Sequence, residues 1–181
     1  CPEIFEMELS AIKKVRETFS NLWLMIPFCR TPRELKEVKK IVASQGLIRS
    51  STFKFWFMVE IPTNVIMLED FIKVGIDGVS IGSNDLTMLL LGVDRDNSEL
   101  AGAFNELDAS VLWALEKTIK TCLKNKISCS ICGQAPSTYP ELSQKLVNWG
   151  ITSLSVNPDA IERTRESVYY AERKKLNLKN V

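Results

Sequence analysis

Histidine is absent from the 181 residues of this chain. The absence removes imidazole metal ligands, histidine general bases and any phosphohistidine carrier from the candidate chemistry. Apolar runs approaching the ~20 residues of a membrane-spanning helix are also missing. The first residues, CPEIFEMELS, are acidic where a secretory signal is basic and then apolar. We therefore expect a cytoplasmic protein with no membrane partner, and a first residue other than Met suggests a piece of something longer.

Neither sign of charge is in excess, because 23 Lys and Arg stand against 22 Asp and Glu, for a formal net charge of +1. This balance gives no electrostatic reason to expect a nucleic acid or an anionic surface as partner, so a small molecule is expected instead. The five cysteines are odd in number and widely spread, which does not suit a disulfide framework. Reduced thiols are the simpler interpretation, and one of them is then available for chemistry.

Short β-branched or aromatic runs alternate with longer helical patterns, which predicts an α/β protein with a parallel sheet in one domain or part of one. The predicted strands are near-continuously apolar, as in strands buried on both faces. They are Leu22 to Phe28, Phe55 to Ile61, Gly78 to Ile81, Ile127 to Ile131 and Ile151 to Val156. The predicted helices are Met7 to Phe19, one after Thr31-Pro32, one after Asp108, Tyr139 to Trp149 closed by Gly150, and Pro158 to Lys174 before a fraying tail.

Five strand–helix units fit either an open doubly wound sheet or part of an eight-stranded β/α barrel, and composition does not choose between them. Polar and reactive groups follow each predicted strand. In both architectures ligands bind at the carboxyl ends of parallel strands. We therefore expect the functional site at this edge of the sheet.

Two carboxylates stand out at that edge. Glu60 interrupts the apolar run FWFMVEIP, where a lone buried charge is costly and is either ion-paired or bound to metal. Asp85 lies in SIGSNDLT, where the simplest alternative is a helix N-cap made by Ser83, Asn84 or Asp85. Carboxylates from neighbouring strand ends are a usual protein contribution to a Mg²⁺ site that leaves positions for substrate and water.

Cys132, in SCSICGQAPS, follows a strand at the same edge, and Gly133 behind it allows close approach of a ligand. It is a candidate proton carrier, although a free cysteine is more often a small buried hydrophobe. Cys129 forms a C-x-x-C with it, so a redox pair or half of a zinc site is formally open. Both fit poorly, because positions three apart on a strand face opposite ways and histidine is absent.

Several blocks of the sequence resemble one family closely: the phosphoenolpyruvate synthases, or pyruvate, water dikinases, among the phosphoenolpyruvate-utilising enzymes. The blocks run from about Met25 to Arg165 and include MIPFCRTPRE, VEIPTNVI, DGVSIGSNDLT, LGVDRD, ICGQAPSTYPEL and SLSVNPDAIERTR. The resemblance implies a C-terminal (β/α)8 barrel of the TIM type that binds pyruvate and phosphoenolpyruvate. A full barrel takes ~250 residues, so residues 1–181 are expected to be its last five units.

The resemblance also implies the reaction, in which pyruvate, ATP and water give phosphoenolpyruvate, AMP and phosphate. The phosphate passes through a histidine on a swivelling domain that is charged from ATP elsewhere, and both of those domains are absent from this chain. The resemblance implies Mg²⁺ as cofactor, with Glu60 and Asp85 as its ligands and as substrate contacts. Gly82, Ser83 and Asn84 then resemble the turn that contacts the substrate.

Cys132 resembles the family's acid/base at the substrate methyl carbon. Two positions depart from the family pattern, since Met88 replaces a common glutamine and Thr138 a frequent acidic residue. The segment alone is expected to be inactive, and unpaired strand edges favour association, including a homodimer. The alternatives are a non-catalytic dimerisation or regulatory relic of the same barrel, and a lyase that uses metal-enolate chemistry.

Overall fold

The computed structural model describes residues 2–97 and 99–177. Its strands are β1 Leu24–Ile26, β2 Phe55–Val59, β3 Gly78–Gly82, β4 Ser128–Cys132 and β5 Ser153–Leu154. Its helices are α1 Pro2–Arg16, α2 Pro32–Ser44, α3 Pro62–Ile66, α4 Leu68–Lys73, α5 Ser83–Leu91, α6 Ala109–Lys124, α7 Ala135–Thr138, α8 Pro140–Trp149 and α9 Ile161–Asn177. Short 3-10 turns cover Ala101–Ala103 and Pro158–Ala160.

The strands form one sheet in the order β1-β2-β3-β4-β5, and every neighbouring pair is parallel. The predicted α/β class with a parallel sheet is therefore confirmed. Sheet order follows chain order, so the sheet lacks the reversal that defines a doubly wound fold. Within the described residues the sheet is open, because β1 and β5 each have a strand on one side only.

Burial alternates along most strands, which corrects the expectation of burial on both faces. In β2, Phe55, Phe57 and Val59 are buried, whereas Trp56 and Met58 are only partly buried. The same alternation appears in β1 and β4, and β3 alone is buried at all five positions. Successive strand side chains point to opposite faces, so one face packs into the core with the helices and the other is less covered.

Local signals explain where most helices begin and end. Thr31 caps α2 by accepting from the backbone N–H of Glu34, and Asp108 caps α6 by accepting from that of Ser110. Gly150 closes α8 in the left-handed region with a φ of 100°. These three predictions are confirmed.

Other helix bounds differ from the prediction. The first helix starts at Pro2 rather than Met7, and it ends at Arg16 rather than Phe19. The last helix continues past Lys174 to Asn177, and residues 178–181 of the predicted tail lie outside the described residues. Across the described ranges, no helix combines the length and apolar character needed to cross a membrane.

The core lies between the sheet and its helices. The Phe57 and Phe71 rings stack at 4.6 Å between centroids, joining β2 to α4. Helix α6 buries a stripe of small and aliphatic side chains at helical spacing, among them Val111, Leu115 and Ile119. This packing fixes the carboxyl ends of β2, β3 and β4 relative to one another.

Candidate active site

The predicted site residues converge at the carboxyl ends of β2, β3 and β4. Glu60 directly follows β2, and Gly82 and Cys132 are register partners at the ends of β3 and β4. A Cβ built on Gly82 would lie 2.9 Å from the Glu60 Cβ and 3.0 Å from its Oε2. Glycine is therefore required here for the Glu60 side chain to lie against the end of β3.

Glu60 is held through its carboxylate by a backbone group of the loop after the neighbouring strand β1. Its side chain is 4% exposed, and its Oε1 accepts a hydrogen bond of 2.6 Å from the Phe28 N–H. Phe28 has a φ of 54°, which is uncommon for a bulky residue and occurs at the loop that follows β1. Strained backbone of this kind concentrates at functional sites.

Asn64 fixes the backbone around Glu60. Its Oδ1 accepts from the N–H groups of Glu60 and Ile61 at 3.2 and 3.1 Å, and its Nδ2 donates to the Cys29 carbonyl at 2.8 Å. The Asn64 side chain is fully buried. It thus links the end of β2 to the loop after β1 and fixes the backbone from which the Glu60 side chain extends.

Within the described part of the chain, the Glu60 carboxylate has no salt-bridge partner. Burial raises the pKa of the Glu60 carboxyl, the Phe28 N–H lowers it, and the Asp85 charge raises it further. Among residues 2–97 and 99–177, no Lys or Arg forms an ion pair with Glu60 or Asp85. Two acidic groups that repel each other without a partner are suited to a bound cation.

The turn after β3 forms the start of α5. Gly82 occupies the N-cap position without a side-chain cap bond, and Ser83, Asn84 and Asp85 lie in the first turn of the helix. The alternative in which one of those three side chains is the N-cap is therefore wrong. The backbone N–H groups of a first helical turn lack intrahelical acceptors, so they are available to an anion at this edge.

Cys132 differs from the other cysteines that the structure describes. It is partly exposed, whereas Cys29, Cys122 and Cys129 are buried. The Ser80 hydroxyl donates to its Sγ at 3.4 Å. Burial is the main cause that raises the pKa of the nearby Cys29 thiol to about 11, so that thiol stays protonated at neutral pH. Cys132 is thus the described thiol that a substrate at this edge could reach.

The C-x-x-C spacing does not bring its two thiols together. Burial alternates along β4, with Cys129 on the covered face and Cys132 on the other. The neighbour of Cys129 is instead Cys122 on α6, which raises the pKa of the Cys129 thiol. The expectation that the two cysteines face opposite ways is confirmed.

Sequence reasoning missed Glu106, a buried carboxylate in the segment before α6. Its Oε1 accepts from the Ser83 hydroxyl at 2.8 Å. Burial raises its pKa, and the Ser83 hydroxyl and the nearby Ala135 N–H oppose that increase. In the sequence, Glu106 resembles any solvated acidic residue near a helix cap, so no local signal identifies it.

The donor set fits Mg²⁺ better than a closed structural metal site. No group of three or more His, Cys, Asp or Glu side chains suited to a metal occurs in the described part of the chain. Glu60 and Asp85 offer oxygen ligands only, and Mg²⁺ commonly takes one or two carboxylates and completes its shell with substrate and water. A tetrahedral zinc site needs more protein ligands than this edge supplies.

Fold and geometry together define a parallel α/β domain with carboxylates and a thiol at the carboxyl edge of its sheet. The chain belongs to the phosphoenolpyruvate-utilising enzyme family, whose PEP-binding domain model matches residues 1–173. It is 50% identical over 174 residues to a phosphoenolpyruvate synthase from Aeropyrum pernix, covering 94% of this chain and 21% of that protein. It is also 42% identical over 174 residues to a phosphoenolpyruvate synthase from Helicobacter pylori, covering 94% of this chain and 21% of that one.

The chain thus spans about a fifth of the length of these curated relatives. Among solved structures, RipC from Yersinia pestis superposes with a TM-score of 0.56 at 13% identity, covering 82% of this chain and 65% of RipC. At that identity the similarity concerns the fold alone.

Proposed function

We propose that this chain supplies the Mg²⁺ and pyruvate half of the active site of a phosphoenolpyruvate synthase. The whole enzyme would convert pyruvate, ATP and water into phosphoenolpyruvate, AMP and phosphate, as a phosphotransferase with paired acceptors. The observation that carries the proposal is the placement of buried Glu60 against Gly82, beside the charge of Asp85 and the thiol of Cys132. Family membership and the names of the relatives support it.

The proposal includes a closed (β/α)8 barrel, of which residues 1–181 form the last five strand–helix units. The parallel strands in chain order support it, because a barrel has this order and a doubly wound sheet does not. The earlier strands, the phosphohistidine domain and the ATP-binding domain would come from the rest of a longer protein. The much greater length of the relatives is consistent with such further domains.

Glu60 and Asp85 would hold the Mg²⁺ ion. When bound there, Mg²⁺ supplies Lewis-acid stabilisation of negative charge on a substrate oxygen. The Phe28 N–H and Asn64 keep the Glu60 carboxylate in place for that role. A preorganised ligand avoids the cost of reorganisation when the substrate arrives.

The first turn of α5 would receive the pyruvate carboxylate. Its free backbone N–H groups and the positive end of the helix favour an anion. The Ser83 hydroxyl already donates a hydrogen bond to Glu106. The backbone N–H of Ser83 is therefore the group that would donate to the substrate carboxylate. The Asn84 Oδ1 accepts from the Gln134 N–H at 3.3 Å, which leaves its side-chain amide protons for the substrate.

Cys132 would transfer the proton at the methyl carbon. As a thiolate it takes a methyl proton, the C–H electron pair becomes the enolate double bond, and negative charge moves to the oxygen. That oxygen attacks the phosphorus of the phosphohistidine, forming a P–O bond as the P–N bond breaks and the imidazole keeps the electron pair. The Ser80 hydroxyl donates to Sγ at 3.4 Å and would hold the sulfur in place for this transfer.

Exchange of the pyruvate methyl protons with solvent deuterium tests this function in the intact parent enzyme. NMR should detect Mg²⁺-dependent exchange in the wild type and at least about 100-fold slower exchange in Cys132→Ala, since general acid–base groups contribute 10²- to 10⁴-fold. Ser130→Ala, on the same face of β4, is the matched control and should exchange normally. Absence of exchange in the folded wild type would refute the catalytic assignment and leave the non-catalytic relic.

A further inference from the structure

Glu106 lies between two turns of the candidate site. It is 4% exposed, and its Oε1 accepts from the Ser83 hydroxyl at 2.8 Å. The backbone N–H of Ala135 lies close enough to the Glu106 carboxyl to lower its pKa. Ser83 belongs to the turn after β3, and Ala135 begins α7 directly after the turn that follows β4. One carboxylate thus lies between the proposed substrate turn, Gly82–Asp85, and the proposed cysteine turn, Cys132–Gln134.

The two turns are also packed tightly against each other. Gly133 has a φ of 104°, and a Cβ built on it would overlap the Ser83 Oγ. The Gln134 N–H donates to the Asn84 side chain, which adds a second polar link between the turns. Small displacements of one turn are therefore passed to the other, and Glu106 bonds to Ser83 in the first turn and lies beside the second.

We propose that Glu106 is a positioning residue that sets the distance between the Cys132 thiol and a pyruvate bound at the Gly82–Asp85 turn. It acts through Ser83 and Ala135 and does not touch the substrate. A buried carboxylate is destabilising unless polar donors offset its desolvation. Here the Ser83 hydroxyl and the nearby Ala135 N–H belong to the two segments that the reaction must align. The inference rests on the proposed function for its chemical consequence.

The test uses the intact parent enzyme with Mg²⁺ and compares the kcat and KM of pyruvate methyl exchange in Glu106→Ala and Glu106→Gln. The Ala variant should lose about 30- to 100-fold in kcat, the effect of a misplacement near 1 Å. Its KM for pyruvate should change much less than its kcat, because every group proposed to bind pyruvate is still present and only its distance from the Cys132 thiol is altered. The Gln variant keeps a carbonyl oxygen for Ser83 and should recover most of the kcat. Glu141→Ala, which removes an exposed carboxylate of α8, is the control.

Alkylation of Cys132 by iodoacetamide, followed by mass spectrometry, gives a readout that does not require turnover. If Glu106 holds the turns together, Cys132 reacts severalfold faster in Glu106→Ala than in the wild type, Glu106→Gln or Glu141→Ala. Unchanged alkylation and unchanged kcat in a folded Ala variant would overturn the proposal, as would a Gln variant as impaired as Ala. In one further outcome the wild type shows no methyl exchange while Glu106→Ala is still alkylated faster than the wild type. That combination would refute the proposed function and leave the link between the turns standing.

Discussion

Glu60 and Glu106 are both nearly buried carboxylates, and each is held by donors from a neighbouring strand end. Glu60 accepts from the loop after β1, and Glu106 accepts from the turn after β3 and lies beside the Ala135 N–H after β4. Burial of a charged group costs free energy unless hydrogen bonds or a counter-charge compensate. In both cases the compensating groups lie at the carboxyl edge of the sheet, which is where α/β proteins bind their ligands.

The raised pKa of Glu106 predicts a pH dependence of stability. In the folded state the Glu106 carboxyl binds a proton more tightly than in the unfolded chain. Its contribution to the free energy of unfolding is therefore fully present below the unfolded pKa of about 4.3. That contribution is lost as the pH rises through the folded pKa. Stability of the wild type relative to Glu106→Gln should therefore fall as the pH increases above that value. Urea titrations of both proteins from pH 4 to pH 8 measure the difference, and a difference independent of pH would contradict the assignment.

Gly133 should tolerate alanine worse than Gly92 does. Both have positive φ, 104° and 63°, so both substitutions carry backbone strain of about 1–2 kcal/mol. A Cβ added to Gly92 would have nothing within 4 Å, whereas at Gly133 the Ser83 side chain must move. We expect the free energy of unfolding to fall by about 1–3 kcal/mol more for Gly133→Ala than for Gly92→Ala, the usual cost of overpacking. Equal losses in chemical denaturation would show that the two turns are not in tight contact.

At the scale of single elements, the sequence predicts helix starts better than tertiary connections. Thr31 and Asp108 are identifiable as caps because capping depends on residues two or three positions away. The bonds of Asn64 to Cys29 and of Glu106 to Ser83 join residues 35 and 23 positions apart, and no periodicity encodes them. The candidate carboxylate Glu60 is identifiable because it stands directly after an apolar strand.

Asn64 joins the ends of β1 and β2, so its removal should destabilise the fold at this edge. Asn64→Ala leaves the N–H groups of Glu60 and Ile61 and the carbonyl of Cys29 without their side-chain partner. An unsatisfied buried polar group costs about 1–3 kcal/mol, and we expect a loss of about 2–4 kcal/mol in the free energy of unfolding. The exposed Asn125, whose amide donates to a single carbonyl, supplies the control Asn125→Ala, expected to cost about 0.5–1 kcal/mol. Similar losses in both variants would contradict this role.

At the scale of the whole molecule, the open sheet leaves a large groove beside β5. The groove has a volume of about 1560 Å³ and lies between residues 150–156 and α9. In the proposed barrel, earlier strands of the longer protein would cover it and pair with β5 and β1. An unpaired strand edge otherwise invites association with other chains.

Amide hydrogen exchange tests the closed barrel. In the 181-residue chain, the amides of β1 and β5 should exchange faster than those of the central β3, because edge strands open locally. In the intact parent enzyme, pairing with earlier strands should slow the exchange of β1 and β5 toward that of β3. Persistently fast exchange at Leu24–Ile26 and Ser153–Leu154 in the parent would contradict barrel closure.

We propose that a divalent metal and pyruvate meet at the ends of β2 and β3. Paramagnetic relaxation of the pyruvate methyl protons by Mn²⁺, a substitute for Mg²⁺, bound to the intact parent enzyme measures this directly. Strong relaxation is expected in the wild type and in the exposed-carboxylate control Glu141→Gln, and it should be lost in Glu60→Gln and Asp85→Asn. Wild-type relaxation in both of those folded variants would show that other residues hold the metal and would refute the proposed site.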